Sequence, residues 1–439
     1  MVACNLLPRT GTQHCLGKVL CTLVFVKVWS DVWQRESASL QGQGQTPEQI
    51  AATLVQRGML AMDAASVFDA CRSQPPMPGA PPIRDAVSHL ARANPVLQQA
   101  LNPLQFGYVA GLYANLQADP AKLGQIVDSV GKVSFEHVPS CLPCGREFTE
   151  VISFVCANTQ RPIRAVAPLI AKLMQPQANQ LALDFACGQG HLLWALAAEL
   201  AQHQPQASLQ LHGMESDHGQ WALATMLFSL SGLDPAQLHN SAALNTAFTR
   251  MDDADKANAI GSADMVVMAL PDTTQAWNHA LAHQERDPRF TRRPPYDSRV
   301  ALAWLGLAAL KPEGGRMALV MPAKALEGQE GLALRKHLVE MNLLDAVITM
   351  PVLKRQVLLL IRTQKAHTNV AFMQITRSGE AGLDDASEMA LAWQRGQAQA
   401  KQIIASITTL AKHQYPMDLL WYKAPDSVRL PKAPRSAAS

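Results

Sequence analysis

Asp184-Phe185-Ala186-Cys187-Gly188-Gln189-Gly190 decides the fold. It follows a short apolar run, Leu181 to Phe185, and precedes the apolar-periodic stretch His191 to Leu200, so it reads as a turn between a strand and a helix. Gly188 and Gly190 let the backbone adopt positive φ and approach a ligand closely. The turn lacks the third glycine of a dinucleotide fingerprint and the Lys-Ser/Thr of a phosphate-binding loop. A single Asp ahead of the glycines suits a cationic, phosphate-free cofactor, because its carboxylate can face an amino or sulfonium charge.

The next strand, Leu209 to Met214, ends in Gly213-Met214-Glu215. An acidic residue there is placed to accept hydrogen bonds from both hydroxyls of a ribose. Spacing and context favour S-adenosylmethionine over NAD, with Asp184, Ala186, Gly188, Gly190 and Glu215 as the cofactor residues. The bland reading is a turn that only packs a helix on a strand.

Further strands are expected at Met265 to Leu270, Arg316 to Met321, Ala346 to Met350 and Val357 to Arg362, with helices at Trp221 to Leu230, Ala301 to Leu310 and Leu332 to Met341. Strands alternating with helices predict a parallel, doubly wound α/β sheet, with ligands at the carboxyl ends of the strands. Phe148 to Val155 and Ile163 to Leu173 read as helices ahead of it. Upstream, Thr46 followed by Glu48 and Gln49 is a helix-start signal, and Ala86 to Gln99 and Leu104 to Gln117 read as two more helices after the Pro-rich break at 75–82. The expected domains are an N-terminal extension over 1–45, a helical domain over 46–145, an α/β domain over 146–380 and a helical tail over 381–439.

Composition bounds the rest. The 439 residues are 48% hydrophobic and 17% charged, which is globular rather than disordered. A net charge of +3 neither demands nor excludes a nucleic-acid partner. Eight cysteines without a framework read as a reducing, cytoplasmic chain. The apolar run Lys18 to Trp33 is too short and too charged to span a membrane, and no small-x-small cleavage site follows it. It reads as a poorly structured extension, whose place in the native protein the sequence leaves open.

Several ordered motifs resemble the modification subunit of type I restriction–modification systems, an N6-adenine DNA methyltransferase family. Its members read Asp-Pro-x-Cys-Gly-x-Gly-x-Leu-Leu where this chain reads DFACGQGHLL. GMESDHGQWALATMLFSLSGL, RDPRFTRRPPYDSRVALAWLGLAALKPEGGRMALVMP, LEGQEGLALRKHLVEMNLLDAVITMP and YPMDLLWYK each resemble a family segment in the same order, covering roughly 145 to 425. The resemblance implies a Rossmann-like class I S-adenosylmethionine-dependent methyltransferase with a helical N-terminal domain. It also implies DNA as substrate, partnership with a specificity subunit and further modification-type subunits, and no membrane.

The resemblance also locates a departure. An exocyclic adenine amine is a poor nucleophile, and the family holds it with Asn-Pro-Pro-Phe/Tyr after the fourth strand: the Asn side chain and first Pro carbonyl accept from the amine, and the ring stacks on the flipped base. Here Ala269-Leu270-Pro271-Asp272 fall on those positions. Ala269 offers no acceptor and Asp272 no ring; Asp272 supplies an acceptor only in a shifted register. The family's Thr-Pro ahead of the first strand is Arg161-Pro162, and the loop after Met350-Pro351 is shortened. The expected function is therefore a DNA adenine-N6 methyltransferase-like subunit that binds cofactor and DNA, or a catalytically inactive homologue that binds cofactor, DNA or partners.

Two clusters remain. His137, Cys141, Cys144 and Cys156 contain one Cys-x-x-Cys half-site without a second pair, so no metal is expected. Arg286, Arg289, Arg292, Arg293 and Arg299 surround Pro294, Pro295 and Tyr296, and read either as phosphate contacts or as a solvated loop. His191 and Trp194 read as packing or cofactor-edge residues rather than acid/base groups.

Overall fold

The computed structural model describes residues 13–62, 67–69, 83–101, 120–135, 161–245, 260–284, 290, 293–397 and 402–415. They group into two compact units, one of residues 1–161 with 188–190 and 217–239, the other of 162–187, 191–216 and 240–439.

The first unit is helical: α1 (Gln13–Gly42), α2 (Pro47–Gln56), α3 (Ile83–Ala93), the single turn α4 (Pro95–Gln98) and α5 (Pro120–Gly131). The helix start at Thr46 is a full capping box: Gln49 N donates to the Thr46 hydroxyl and the Gln49 side chain accepts from Thr46 N. The expected helix from 86 to 99 is divided by Asn94, whose side chain bonds Ala61 through both its amide oxygen and its nitrogen. The expected helix over 104–117 and that over 148–155 lie outside the described residues.

The reading of the N-terminal extension as poorly structured is corrected over residues 13–42 by α1, which is 30 residues long. From Leu20 to Val32 every residue is buried. A helix apolar on all sides belongs in a core, and its two charges there, Lys27 and Asp31, pair with each other one turn apart. Ser30 Oγ accepts from Phe68 N at 2.9 Å and Asp31 Oδ2 from Phe135 N at 2.8 Å, so the polar atoms of this helix staple two other segments to it. Among the described residues no helix is long and apolar enough to cross a membrane.

The second unit holds the sheet. After α6 (Arg161–Met174) come β1 (Leu181–Asp184), α7 (His191–His203), β2 (Gln210–Glu215), α8 (His218–Leu230, assigned with its turn to the first unit), and β3 (Leu238–Asn240). Then follow β4 (Met265–Ala269), α9 (His279–Gln284), α10 (Ser298–Ala309), β5 (Arg316–Pro322), α11 (Gly328–Glu340) and β6 (Leu344–Thr349). The chain closes with β7 (Gln356–Arg362), β8 (Asn369–Gln374), α12 (Gly379–Gln394), β9 (Gln402–Ser406) and α13 (Ile407–Lys412).

The nine strands lie in the order β3-β2-β1-β4-β5-β7-β6-β8-β9. β1 pairs in parallel with β2 and β4, and β4 with β5. β1, β4 and β5 are buried on both faces, as near-continuous apolar runs require. Val300 and Leu305 of α10 and Leu334 and Leu338 of α11 share one core with Met268, Leu319 and Leu359.

The all-parallel expectation is corrected at β7, which is antiparallel to both β5 and β6. Only residues 350–355 separate β6 from β7, and a parallel return needs a crossover of about a dozen residues or more. The expectation of a wholly helical tail is also corrected. α12 ends at Gln394, and residues 402–406 form β9, antiparallel to β8. The β-branched pair Ile403-Ile404 takes the open ladder of β8 in place of the helix that the surrounding Ala and Gln favour.

Candidate functional site

The parallel register of β1 and β4 brings the ends of two motif-bearing strands side by side, Leu183 opposite Val266. At that edge β1 runs into the glycine turn and β4 into the tetrapeptide.

The turn is drawn as the sequence suggests. Gly188 and Gly190 have φ of 55° and 78°. Gly190 answers a second demand: a Cβ there would lie 3.2 Å from the Ala224 methyl and 3.3 Å from the Phe228 ring, so its bareness lets α8 pack against the turn. Cys187 N donates to Met214 O at 2.9 Å, tying the turn to the end of β2. Ala186 N donates to Asp184 Oδ1 at 3.0 Å.

Asp184 is only 1% exposed, and burial drives its carboxyl well above the ordinary aspartate range, against the lowering effect of the Ala186 N–H. Glu215 adds to the rise by like-charge repulsion. The half-buried Glu215 closes β2, where its carbonyl accepts from Asn240 Nδ2 at 2.9 Å. Burial likewise raises the Cys187 thiol.

The amide nitrogen and oxygen of buried Gln189 have no hydrogen-bond partner among the described residues, and the same holds for both ring nitrogens of His191. Burial, helped by Arg164, pulls the His191 imidazole down to about 3, so it is neutral at physiological pH and no acid/base group. Trp194 is half-buried.

At the end of β4, Ala269 is half-buried, Leu270 buried, Pro271 half-buried and Asp272 exposed. Leu270 N donates to Val320 O at 2.8 Å, extending the β4–β5 ladder by one bond. Gln356, the first residue of β7, points its amide here: Nε2 lies 3.3 Å from Leu270 O and 3.2 Å from Asp272 Oδ1. The sequence flagged the shortened turn before Gln356 but not the residue itself. The signal is that shortening, which starts β7 close beside the end of β4.

Arg299, which the sequence leaves as either a phosphate contact or part of a solvated loop, is a buried scaffold residue. It is 7% exposed, grips Asp297 through Nε (2.9 Å) and Nη2 (2.6 Å), and donates through Nη1 to Asp272 O at 2.6 Å. Of the other four arginines only Arg293 is described. It is exposed, with Nη2 2.8 Å from the Tyr296 hydroxyl and its guanidinium over that ring. The His137, Cys141, Cys144 and Cys156 set lies outside the described residues, and among the described ones no group of three or more His, Cys, Asp or Glu could hold a metal.

Residues 162–391 match the family model described as N-6 DNA Methylase. No curated protein matches in sequence. Among solved structures, the methyltransferase subunit of a type I restriction-modification system from Streptococcus thermophilus is similar at a TM-score of 0.73 and 16% identity, covering 93% of this chain and 94% of that one. A structure from work on complex assembly and conformational transition of the type I R-M system gives 0.63 at 14% identity, covering 95% and 88%. A modification subunit of a putative type I restriction enzyme from Vibrio vulnificus gives 0.56 at 14%, covering 90% and 88%. Likenesses at such identities establish the fold.

Proposed function

The chain belongs to the N-6 DNA Methylase family, and from that premise we propose that it is a DNA adenine-N6 methyltransferase-like subunit of a restriction–modification-type system. It binds S-adenosylmethionine and DNA and works beside a specificity subunit and further modification-type subunits. The observation that carries this reading is the shared edge of β1 and β4, where a cofactor-type glycine turn and the family's tetrapeptide position end neighbouring parallel strands. A cytoplasmic location suits the eight cysteines, which are spaced without a disulfide framework.

The chain's residues fit a cationic cofactor. Asp184 is a buried carboxyl with no ion pair among the described residues, and a positive group beside it would offset the cost of ionising it. The Gln189 amide, without a hydrogen-bond partner among the described residues, offers a further donor and acceptor in the turn itself. Glu215 is set to accept from the ribose hydroxyls, while Ala186, Gly188 and Gly190 offer close backbone. S-adenosylmethionine would supply the methyl group on its sulfonium. Asp184 would orient and balance positive charge, and Glu215 would fix the ribose.

Glu215→Ala is expected to weaken S-adenosylmethionine binding by about tenfold or more, since bonds to a charged acceptor are worth ~1.5–3 kcal/mol. Calorimetry giving equal affinities would remove Glu215 from the site.

Asp184 makes the binding pH-dependent. Its folded pKa is raised, so the free protein loses stability as pH climbs from the ordinary aspartate value, about 4, through the folded one. A cation at the site favours the carboxylate, so affinity rises with pH across that window and a proton is released on binding. Asp184→Asn should flatten the slope. Calorimetry in buffers of different ionisation enthalpy reads the proton directly, and a wild type that releases none would show that Asp184 faces no cation.

A second reading, an inactive homologue that binds cofactor, DNA or partners, is favoured by the tetrapeptide. Ala269 has no side-chain acceptor, and the Leu270 carbonyl already accepts from Gln356.

A further inference from the structure

The contact between Gln356 and the tetrapeptide has a specific chemical form. Both groups facing the Gln356 amide, a main-chain carbonyl and a carboxylate, accept hydrogen bonds. The NH2 end must therefore be the end that faces them, since the reversed amide would set oxygen against oxygen. Two N–H bonds on one nitrogen meet two converging acceptors. An exocyclic amine on a purine presents the same pattern.

Both acceptors are held from behind. Leu270 is buried and bonded through its N–H to Val320. The Asp272 carbonyl accepts from Arg299, which the Asp297 carboxylate grips through two nitrogens. The Asp272 side chain itself is exposed, so an incoming group can reach this acceptor from solvent. In this arrangement the acceptors are separated by two positions in sequence, the first a backbone carbonyl and the second a side chain.

We infer that Leu270 O and Asp272 Oδ1 form a recognition pair for the exocyclic amine of an adenine, that Asp272 stands in for the acceptor Ala269 cannot offer, and that Gln356 fills the pair when no base is present. The choice of adenine rests on the family reading given above; the two-acceptor geometry does not. Because Gln356 is tethered, a base must displace it, and apparent affinity falls by the fraction of molecules in which the pair is open. A charged acceptor makes the stronger bond once the amide has left.

The test uses the full chain and two short single strands, one of deoxyadenosine and one of purine deoxyriboside, which lacks the amine. Phosphate contacts are the same for both, so their affinity ratio reads the amine alone. By fluorescence anisotropy the wild type should prefer the adenine strand by no more than about twofold. Gln356→Ala should raise the preference to about tenfold, and adding Asp272→Ala should abolish it. Gln356→Met keeps the side-chain length without the amide and serves if the alanine variant does not fold. Equal binding of the two strands by the Gln356 variants, or a preference that survives Asp272→Ala, overturns the inference. Calorimetry with S-adenosylhomocysteine separates the two claims. Intact cofactor binding without amine preference sinks the acceptor pair alone, whereas amine preference without cofactor binding sinks the cofactor reading alone.

Discussion

DNA from cells that express this chain with the proposed partner subunits, and that lack known adenine methyltransferases, is expected to carry N6-methyladenine at background level only. The proposed site lacks two things that act together. No ring stands at Asp272, and stacking of a base on an aromatic side chain is worth ~1–3 kcal/mol. No side-chain acceptor stands at Ala269, and the Leu270 carbonyl is engaged by Gln356. Removing one preorganised hydrogen-bonding group from a reacting centre typically costs about 10²–10³ in rate. Together these put the chain roughly 10³-fold or more below a variant carrying Ala269→Asn, Leu270→Pro and Asp272→Phe with Gln356→Ala. The contributions will not add simply, because the groups act as one unit. Hydrolysed genomic DNA analysed by mass spectrometry gives the answer. Sequence-specific methylation by the unaltered chain, lost on Gly188→Val, would mean that Asp272 and Leu270 O suffice for chemistry as well as recognition.

The parts of the molecule that could be read from sequence were those whose signals are local. The turn at 184–190 announces itself because positive φ at Gly188 and Gly190 leaves a compositional trace, and six strands of the sheet lie within a residue or two of their expected positions. The capping box at Thr46 is likewise written in four consecutive residues.

What the sequence concealed depends on distant partners. α1 looked like a stray apolar run because the groups that use Ser30 and Asp31 belong to Phe68 and Phe135, far along the chain. β8 holds a four-residue apolar run, Val370 to Met373, whose meaning comes from β6 on one side and β9 on the other. Gln356 is an unremarkable polar residue until β5 and β7 pair, when its amide comes within reach of Leu270 and Asp272. The antiparallel turn at 350–355 is missed because the strand–helix alternation reads as parallel throughout, although its length leaves no room for a crossover.

Truncation after Gln397 is expected to drive the protein into the insoluble fraction, or to cost at least ~3–5 kcal/mol if it stays soluble. The cut removes β9 and α13. It leaves β8 as an edge strand in which Val370, Ala371, Phe372 and Met373 are each wholly buried in the intact chain. An unpaired apolar edge is a template for association with other chains. The cut also removes Leu410, fully buried in the sheet's core, and burying such a side chain is worth about 1.5–3 kcal/mol. Two further anchors go with it: Arg335 Nη1 donates to Tyr415 O at 2.6 Å, and the Tyr415 hydroxyl to Glu340 Oε1 at 2.6 Å, both on α11. Two point variants test the same packing without shortening the chain. Phe372→Ala should cost ~3–5 kcal/mol and Leu410→Ala ~2–5 kcal/mol in denaturant unfolding. A separate helical tail would behave differently, because its removal would leave the sheet's melting temperature where it was. A soluble, monomeric truncated protein that melts with the full chain would therefore return residues 402–412 to the status of an appendage and free them for a partner subunit.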